Sequence, residues 1–383
     1  MKLLHISDLH LGKKINDFSM IDDQKFILQK IEDIAEREAP DAILIAGDVY
    51  DRSVPSIEAI ELLEAFLCHL ADKGNQIYIA SGNHDSAERL AFGRTLMEDS
   101  GVHIAPAYSG EAPKYTLTDE YGQVNLYLMP FIKPAVVRHA LKDDDIDTYA
   151  KAMAAAIDKM EVNPDARNVL VAHQFVTGAD RCESEDMMIG GLDNIDADVF
   201  EAFDYTALGH LHAPQSLGPN NNIRYCGTPL KYSFSEVHHQ KSVTIAELGA
   251  KADGKCDLTI REIRLKPMRD WADIRGTFEE VTSEEFLKTV DTEAYVRVTL
   301  LDEDDIPDAI TRLRSSYPNL MNLRYDNKRT RTETDVMDAA ELKQRSELEL
   351  FEELFEKQNN ASMSEAQRQI AGRIIETIKE EMA

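Results

Sequence analysis

An α/β fold built on parallel strands is predicted for the first two thirds of this 383-residue chain, on three observations. Short continuous apolar runs, of the kind that strands buried on both faces require, alternate with stretches whose apolar positions recur at helical spacing. Five of those runs stop at a side chain that can bind a metal ion. LLHIS leads into Asp8 and His10, AILIAG into Asp48, IYIASG into Asn83, VLVA into His173, and YTALG into His210 and His212. Open α/β sheets gather their chemistry beyond the carboxyl ends of their strands, so donors far apart in sequence are expected on one rim.

The first strand, LLHIS, is followed by a helix over 20–39, the AILIAG strand, and a helix over 56–74 closed by Gly74. IYIASG is the third strand. From VNLYLMPF (124–131) through VLVA, YTALG, SVTIAEL (242–248) and CDLTIREIRL (256–265), strands become more frequent, which calls for a second sheet packed on the first. The character changes after Pro267. AYVRVTLL (294–301), IPDAITRLRSSY (306–317) and NLMNLRYD (319–326) make a compact strand–helix–strand unit with no ligand-type cluster of its own.

The expected domains are therefore a body over 1–267, an α+β cap over 268–326, a polar linker over 327–336 and a helical tail over 337–383. In the tail, Leu348, Phe351, Leu354 and Phe355 form an apolar stripe. Ser362 with Glu365 fits a capping box, and Ile370, Ile374 and Ile378 share one face of a second helix. Two amphipathic helices on a polar linker suit docking onto a partner protein; folding back on the body is the alternative.

Composition narrows the function. No apolar run approaches the ~18–20 residues that span a membrane, and a ligand stands as early as Asp8, so a cytoplasmic location and no membrane partner are expected. Cys68, Cys182, Cys226 and Cys256 lie far apart, against a disulfide framework or a thiolate zinc site. The formal net charge of −28 opposes general attraction to nucleic acid. A DNA substrate would need basic patches, bound cations or a partner to offset it.

Asp8-x-His10 and His210-x-His212 each place two donors on one side of an extended segment. With Asp48 bridging, Asp8, His10 and His212 complete one metal shell, and Asn83, His173 and His210 complete the other. Imidazole, carboxylate and amide donors suit Mn, Fe or Zn better than Ca or Cu(I). The reaction class is metal-assisted phosphoester hydrolysis with hydroxide as the attacking group. His84 is not needed in either shell and is assigned to catalysis, through transition-state stabilisation or leaving-group protonation. Asp85 is expected to orient a histidine through its second ring nitrogen, and Asp51 to do likewise or to bond a turn. Gly47, Gly82 and Gly209, each just before a ligand, are expected to let the backbone turn and approach a phosphate. Lys13, Lys14, Arg52 and Arg89 are candidate contacts to a nucleic-acid backbone. His5 reads as a core residue; His238 and His239, in a polar stretch with Lys241, read as a solvated loop first and a phosphate contact second.

D-x-H, G-D-x-x-D, G-N-H-D, a lone strand-end histidine and G-H-x-H, in this order, resemble the calcineurin-like metallophosphoesterases. More narrowly, DLHLGKK, AGDVYDRSVPS, ASGNHDS, ALGHLHAPQ and GTPLKYSFSE look like the SbcD family of bacterial nucleases, across the whole chain. That resemblance implies a four-layer α-β-β-α sandwich with two Mn2+ at the sheet rim; Mg2+, Fe and Zn2+ are the other candidates. It implies a 3'-5' double-strand exonuclease and single-strand or hairpin endonuclease acting in DNA repair. The implied partner is SbcC, an ABC-type coiled-coil ATPase, bound through the helical tail, with a homodimer inside a heterotetramer and a DNA-binding cap. Asp51 is a departure, because some relatives carry histidine there and its role does not transfer. A small-substrate phosphodiesterase or nucleotide phosphatase of the same superfamily is the alternative.

Overall fold

A computed structural model describes residues 1–16, 18–179, 194–327, 348, 351–352, 355, 363–364, 367–368 and 370–375. It divides into two compact units, Met1–Asp270 and Trp271–Ala383.

The first unit holds two six-stranded sheets. One runs in the order Lys255–Arg264, Ser242–Ala252, Lys2–Ile6, Ala42–Ala46, Ile77–Ala80, Val102–Ile104. Its last four strands are parallel, and Ser242–Ala252 joins Lys2–Ile6 antiparallel. The other runs Gln215–Leu217, Ile223–Tyr225, Tyr205–Gly209, Arg167–His173, Gly122–Leu128, Lys114–Asp119, with its four middle strands parallel.

Leu3, Leu44, Ala46 and Tyr78 of the first sheet meet Leu126, Val169, Val171, Tyr205 and Ala207 of the second in one apolar cluster. Alternate residues of the same strands, Tyr127, Leu170, Ala172 and Leu208, face outward into a second cluster with Val137, Tyr149 and Met153 of the helices Pro134–Leu141 and Tyr149–Asp158. Strands covered on both faces must be apolar throughout, which is why they read as continuous runs. The helices Ile21–Glu38 and Ile57–Asp72 bury Ile27, Leu28 and Ile31, and Leu63, Phe66 and Leu70. The mixed α/β class with parallel sheets is as expected.

The second unit has three parallel strands, Trp271–Gly276, Tyr295–Leu300 and Leu320–Tyr325, in that order. Val296, Val298 and Leu300 pack with Ile274, Val281, Leu313 and Tyr317. Trp271–Gly276 is absent from the sequence reading: its buried positions are Trp271, Ile274 and Gly276, so it lacks the period-two signal of a strand. The linker from 328 onward, Leu354 and Ile378 lie outside the described residues, as do Ser362 and Glu365 of the expected capping box. Ser364 and Gln367 make reciprocal capping bonds. Phe351, Ile370 and Ile374 are exposed, and Glu352 and Arg368 form an ion pair.

Candidate metal centre

At the carboxyl ends of the parallel strands the backbone leaves its ordinary conformations. Asp8, His10, Asp48 and His210 all have positive φ, at 53°, 45°, 46° and 107°. Each such residue costs on the order of 1–3 kcal/mol, and the surrounding structure has to impose it. It does so with backbone bonds from Asp8 N to Gly47 O (3.0 Å) and His10 N to Asp48 O (2.9 Å). Gln24 Nε2 (2.7 Å) also donates to the His10 carbonyl. Strain at this many neighbouring strand ends turns the side chains toward one point.

The donors converge there. Asp8, His10 and His212 offer atoms within 4.8 Å of one another; so do His10, Asp48 and His84, and so do Asp8, Asp48 and His173. Asn83 Oδ1 lies 3.0 Å from both His173 Nε2 and His210 Nδ1, and Asp48 Oδ2 lies 3.3 Å from His173 Nε2. All seven predicted ligands are therefore brought together, and Asp48 stands between the two groups. His10 is 1% exposed, and neither of its ring nitrogens has a hydrogen-bond partner. A buried imidazole with both nitrogens idle calls for a ligand, and a cation at its lone pair would satisfy it. The chain carries the donor set of a binuclear metal site.

Electrostatics agree. Burial pushes the Asp8 carboxyl up to about 6, with His173 and His212 opposing the rise and Asp48 adding to it. Burial also disfavours the charged form of Asp48, but the charges of His173, His10 and His84 outweigh it and hold that carboxyl well below the usual range. Burial would lower His173, yet Asp48 and Asp8 carry it up to about 9. Two carboxylates sunk together call for positive charge beside them, which a bound cation would supply.

The outer contacts correct several expectations. Asp85 touches no histidine ring: it accepts the backbone N–H groups of Val49, Tyr50 and Gly82, tying the Asp48 loop to the Asn83 loop. Asp51 takes Lys13 Nζ at 2.6 Å, its carboxylate stands 3.6 Å from His10 Nδ1, and its carbonyl lies 3.0 Å from His84 Nδ1. His84 Nε2 lies 3.9 Å from Asp48 Oδ2. The glycines leave room for the ligands. A Cβ on Gly47 would sit 2.2 Å from His173 Nδ1, and one on Gly82 would sit 2.1 Å from Asp48 Oδ1.

Among the candidate basic contacts, Lys13 is held by Asp51 and Arg89 donates to Ser53 O, while Lys14 and Arg52 line a shallow pocket with Leu11, Val54 and Ser56. Lys241 is not in a solvated loop; it is buried against Glu236, and Glu236 accepts from His212 Nδ1 at 3.2 Å. Glu236 and Lys241, buried beside His212, were not singled out from the sequence, since nothing in a polar loop between two strands shows which carboxylate turns inward.

The profile of the calcineurin-like phosphoesterases fits residues 1–214, and a C-terminal profile described as "Type 5 capsule protein repressor C-terminal domain" fits residues 264–359. The chain belongs to the calcineurin-like phosphoesterases and is a metal-dependent phosphodiesterase. Within them its relatives are nucleases. The SbcD component of the SbcCD nuclease from Staphylococcus epidermidis is 31% identical over 374 residues, 96% of each chain, and that from Staphylococcus saprophyticus is 34% identical over 327 residues, 84% of each. The chain belongs to this SbcD nuclease family. A dimetal phosphatase from Danio rerio has a TM-score of 0.39 at 11% identity, covering 69% of this chain and 96% of its own. Among the described residues no helix is long and apolar enough to cross a membrane.

Proposed function

We propose that this chain is the nuclease component of an SbcCD-type complex, a Mn2+-dependent enzyme that cuts DNA at ends, hairpins and single strands, with 3'-5' exonuclease action on duplex ends. One observation carries the reading: seven metal-type donors, Asp48 among them, gathered at one rim, with His10 buried and making no hydrogen bond through its ring, in a chain related over 96% of its length to an SbcCD nuclease component.

Asp8, His10 and His212 would hold one cation and Asn83, His173 and His210 the other, with Asp48 available to both. Two bound cations would supply a water of lowered pKa and positive charge for the phosphate oxygens. The chain's own residues do the rest. Asp85 fixes the spacing of the Asp48 and Asn83 loops through its backbone bonds. His84, set by the Asp51 carbonyl and one of the more exposed side chains of the group, reaches the phosphate or the leaving oxygen. Lys14 and Arg52 take the flanking backbone.

The cap over 268–326 contributes DNA contacts, and the tail over 337–383 binds the base of an SbcC coiled coil; the exposure of Phe351, Ile370 and Ile374 supports the latter. Val54, Ile57, Phe92 and Leu96, all strongly exposed, support pairing of two copies within a heterotetramer. The test is the purified protein with Mn2+, with and without SbcC and ATP, on linear, hairpin and single-stranded DNA. Partner-stimulated cleavage of ends and hairpins is expected. Equal turnover of hairpin DNA and a generic phosphodiester, indifferent to the partner, would assign the small-substrate activity instead. Truncation before Val336 is expected to abolish capture of SbcC and to spare cutting of single strands; retained complex in a pull-down would refute the role of the tail.

A further inference from the structure

The two halves of the centre are braced differently. His173 Nδ1 lies 3.0 Å from the carbonyl of Ala46, a neutral acceptor. His212 Nδ1 lies 3.2 Å from Glu236 Oε1, a carboxylate with no exposed surface. Glu236 is itself fully engaged: Oε1 also accepts Tyr232 N–H (3.3 Å), and Oε2 takes Lys241 Nζ (2.5 Å) and Thr228 Oγ1 (3.5 Å). Lys241 uses its other two donors on Thr228 Oγ1 (2.6 Å) and the His212 carbonyl (2.9 Å). Its ammonium therefore grips both the carboxylate that orients the His212 ring and the backbone that carries it.

We infer that Glu236 and Lys241 form a positioning pair that sets the tautomer and angle of His212 and makes its half of the centre the tighter metal site. A carboxylate on Nδ1–H keeps the Nε2 lone pair turned outward and more basic, which a carbonyl does less strongly. Lys241 cancels the charge of Glu236, so the brace adds no net negative charge to a region already crowded with carboxylates. This inference rests on the two-cation reading of the preceding subsection.

Calorimetric titration of Mn2+ onto metal-free, full-length protein tests it. Wild-type protein is expected to bind two ions; failure to do so would count against the binuclear reading itself. In Glu236→Gln one ion should weaken by ~10–100-fold while the other keeps its wild-type affinity. Because that variant leaves the Lys241 ammonium buried beside a neutral amide, the charge-balanced double variant Glu236→Gln/Lys241→Met and the shortened Glu236→Asp accompany it. The same selective loss is expected in each that folds by circular dichroism. At two equivalents of Mn2+, the electron paramagnetic resonance spectrum should change from a spin-coupled pair to an isolated ion. Wild-type affinity at both ions, or equal weakening of both, overturns the inference; equal weakening is what a merely structural role would give.

Discussion

The two compact units place their charged side chains in opposite ways. In Met1–Asp270, Asp8, His10, Asp48, His173, His212 and Glu236 are all buried, and the Asp8 and Asp48 carboxyls lie close enough to raise the cost of charging Asp8. In Trp271–Ala383 the core cluster of the described residues is built from apolar side chains such as Val296, Val298 and Leu313, and the ion pairs Arg275–Asp326 and Arg297–Asp273 lie toward the surface. Among the described residues that unit has no cluster of metal-type donors. Burying charge is expensive and surface pairs contribute ~0–1 kcal/mol, so the first arrangement exists for chemistry and the second for folding and solubility.

The comparison is broken most directly by removing the residue proposed to be shared by both halves of the centre. Asp48→Ala should abolish binding of both ions and lower cleavage by at least ~10³-fold, as loss of the shared metal-binding carboxylate implies. Metal analysis and a single-turnover DNA assay check it; persistence of two bound ions would refute a bridging role. His84→Ala separates binding from catalysis. Cleavage should fall by ~10²–10⁴-fold with two ions still bound and the thermal midpoint unchanged. A wild-type rate in that variant would remove His84 from the mechanism.

An apolar deletion in the other unit should have the converse signature. Leu313 is fully buried among Val281, Val296, Val298 and Tyr317, and Leu313→Ala should destabilise that unit by ~2–5 kcal/mol. Hydrogen exchange in Tyr295–Leu300 should accelerate while Mn2+ titration and cleavage of short single strands stay at wild-type values. A change in metal affinity would show that the two units are energetically coupled.

These contrasts also explain what could be read from the sequence. The metal-type donors were legible because each follows a buried strand whose continuous apolar run announces where it ends, as AILIAG announces Asp48. The cap sheet was legible only in part, since Trp271–Gly276 pairs through its backbone and signals little through its side chains. Least legible were the braces. Asp85 was expected at an imidazole and instead holds three backbone N–H groups, and Lys241 was read as solvated although Glu236 draws it inside. Such pairings depend on how loops cross in space, which no local period encodes.

The smallest effect is expected where a charge pair belongs to the first unit but not to its centre. Arg167, 3% exposed on a central strand, donates to Asp119 Oδ2 at 3.0 Å and to the carbonyl of Gly122 at 2.8 Å. Hydrogen bonding from Arg167 holds the Asp119 carboxyl well below the usual carboxylate range. A carboxylate depressed in the folded state contributes stability that is fully present above its unfolded value of ~3.9 and is lost as pH falls from there toward the folded value. Asp119→Asn should therefore cost ~1–3 kcal/mol at neutral pH, through a bond to a charged group left unmade. That penalty should be flat from pH 7 down to ~5 and shrink only below ~4, where the wild-type carboxylate begins to lose its advantage. Hydrogen exchange at Arg167–His173, compared between the two proteins across that range, measures it. A penalty that grows on acidification would mean that Asp119 is not ionised against Arg167, and that the first unit buries functional charge alone.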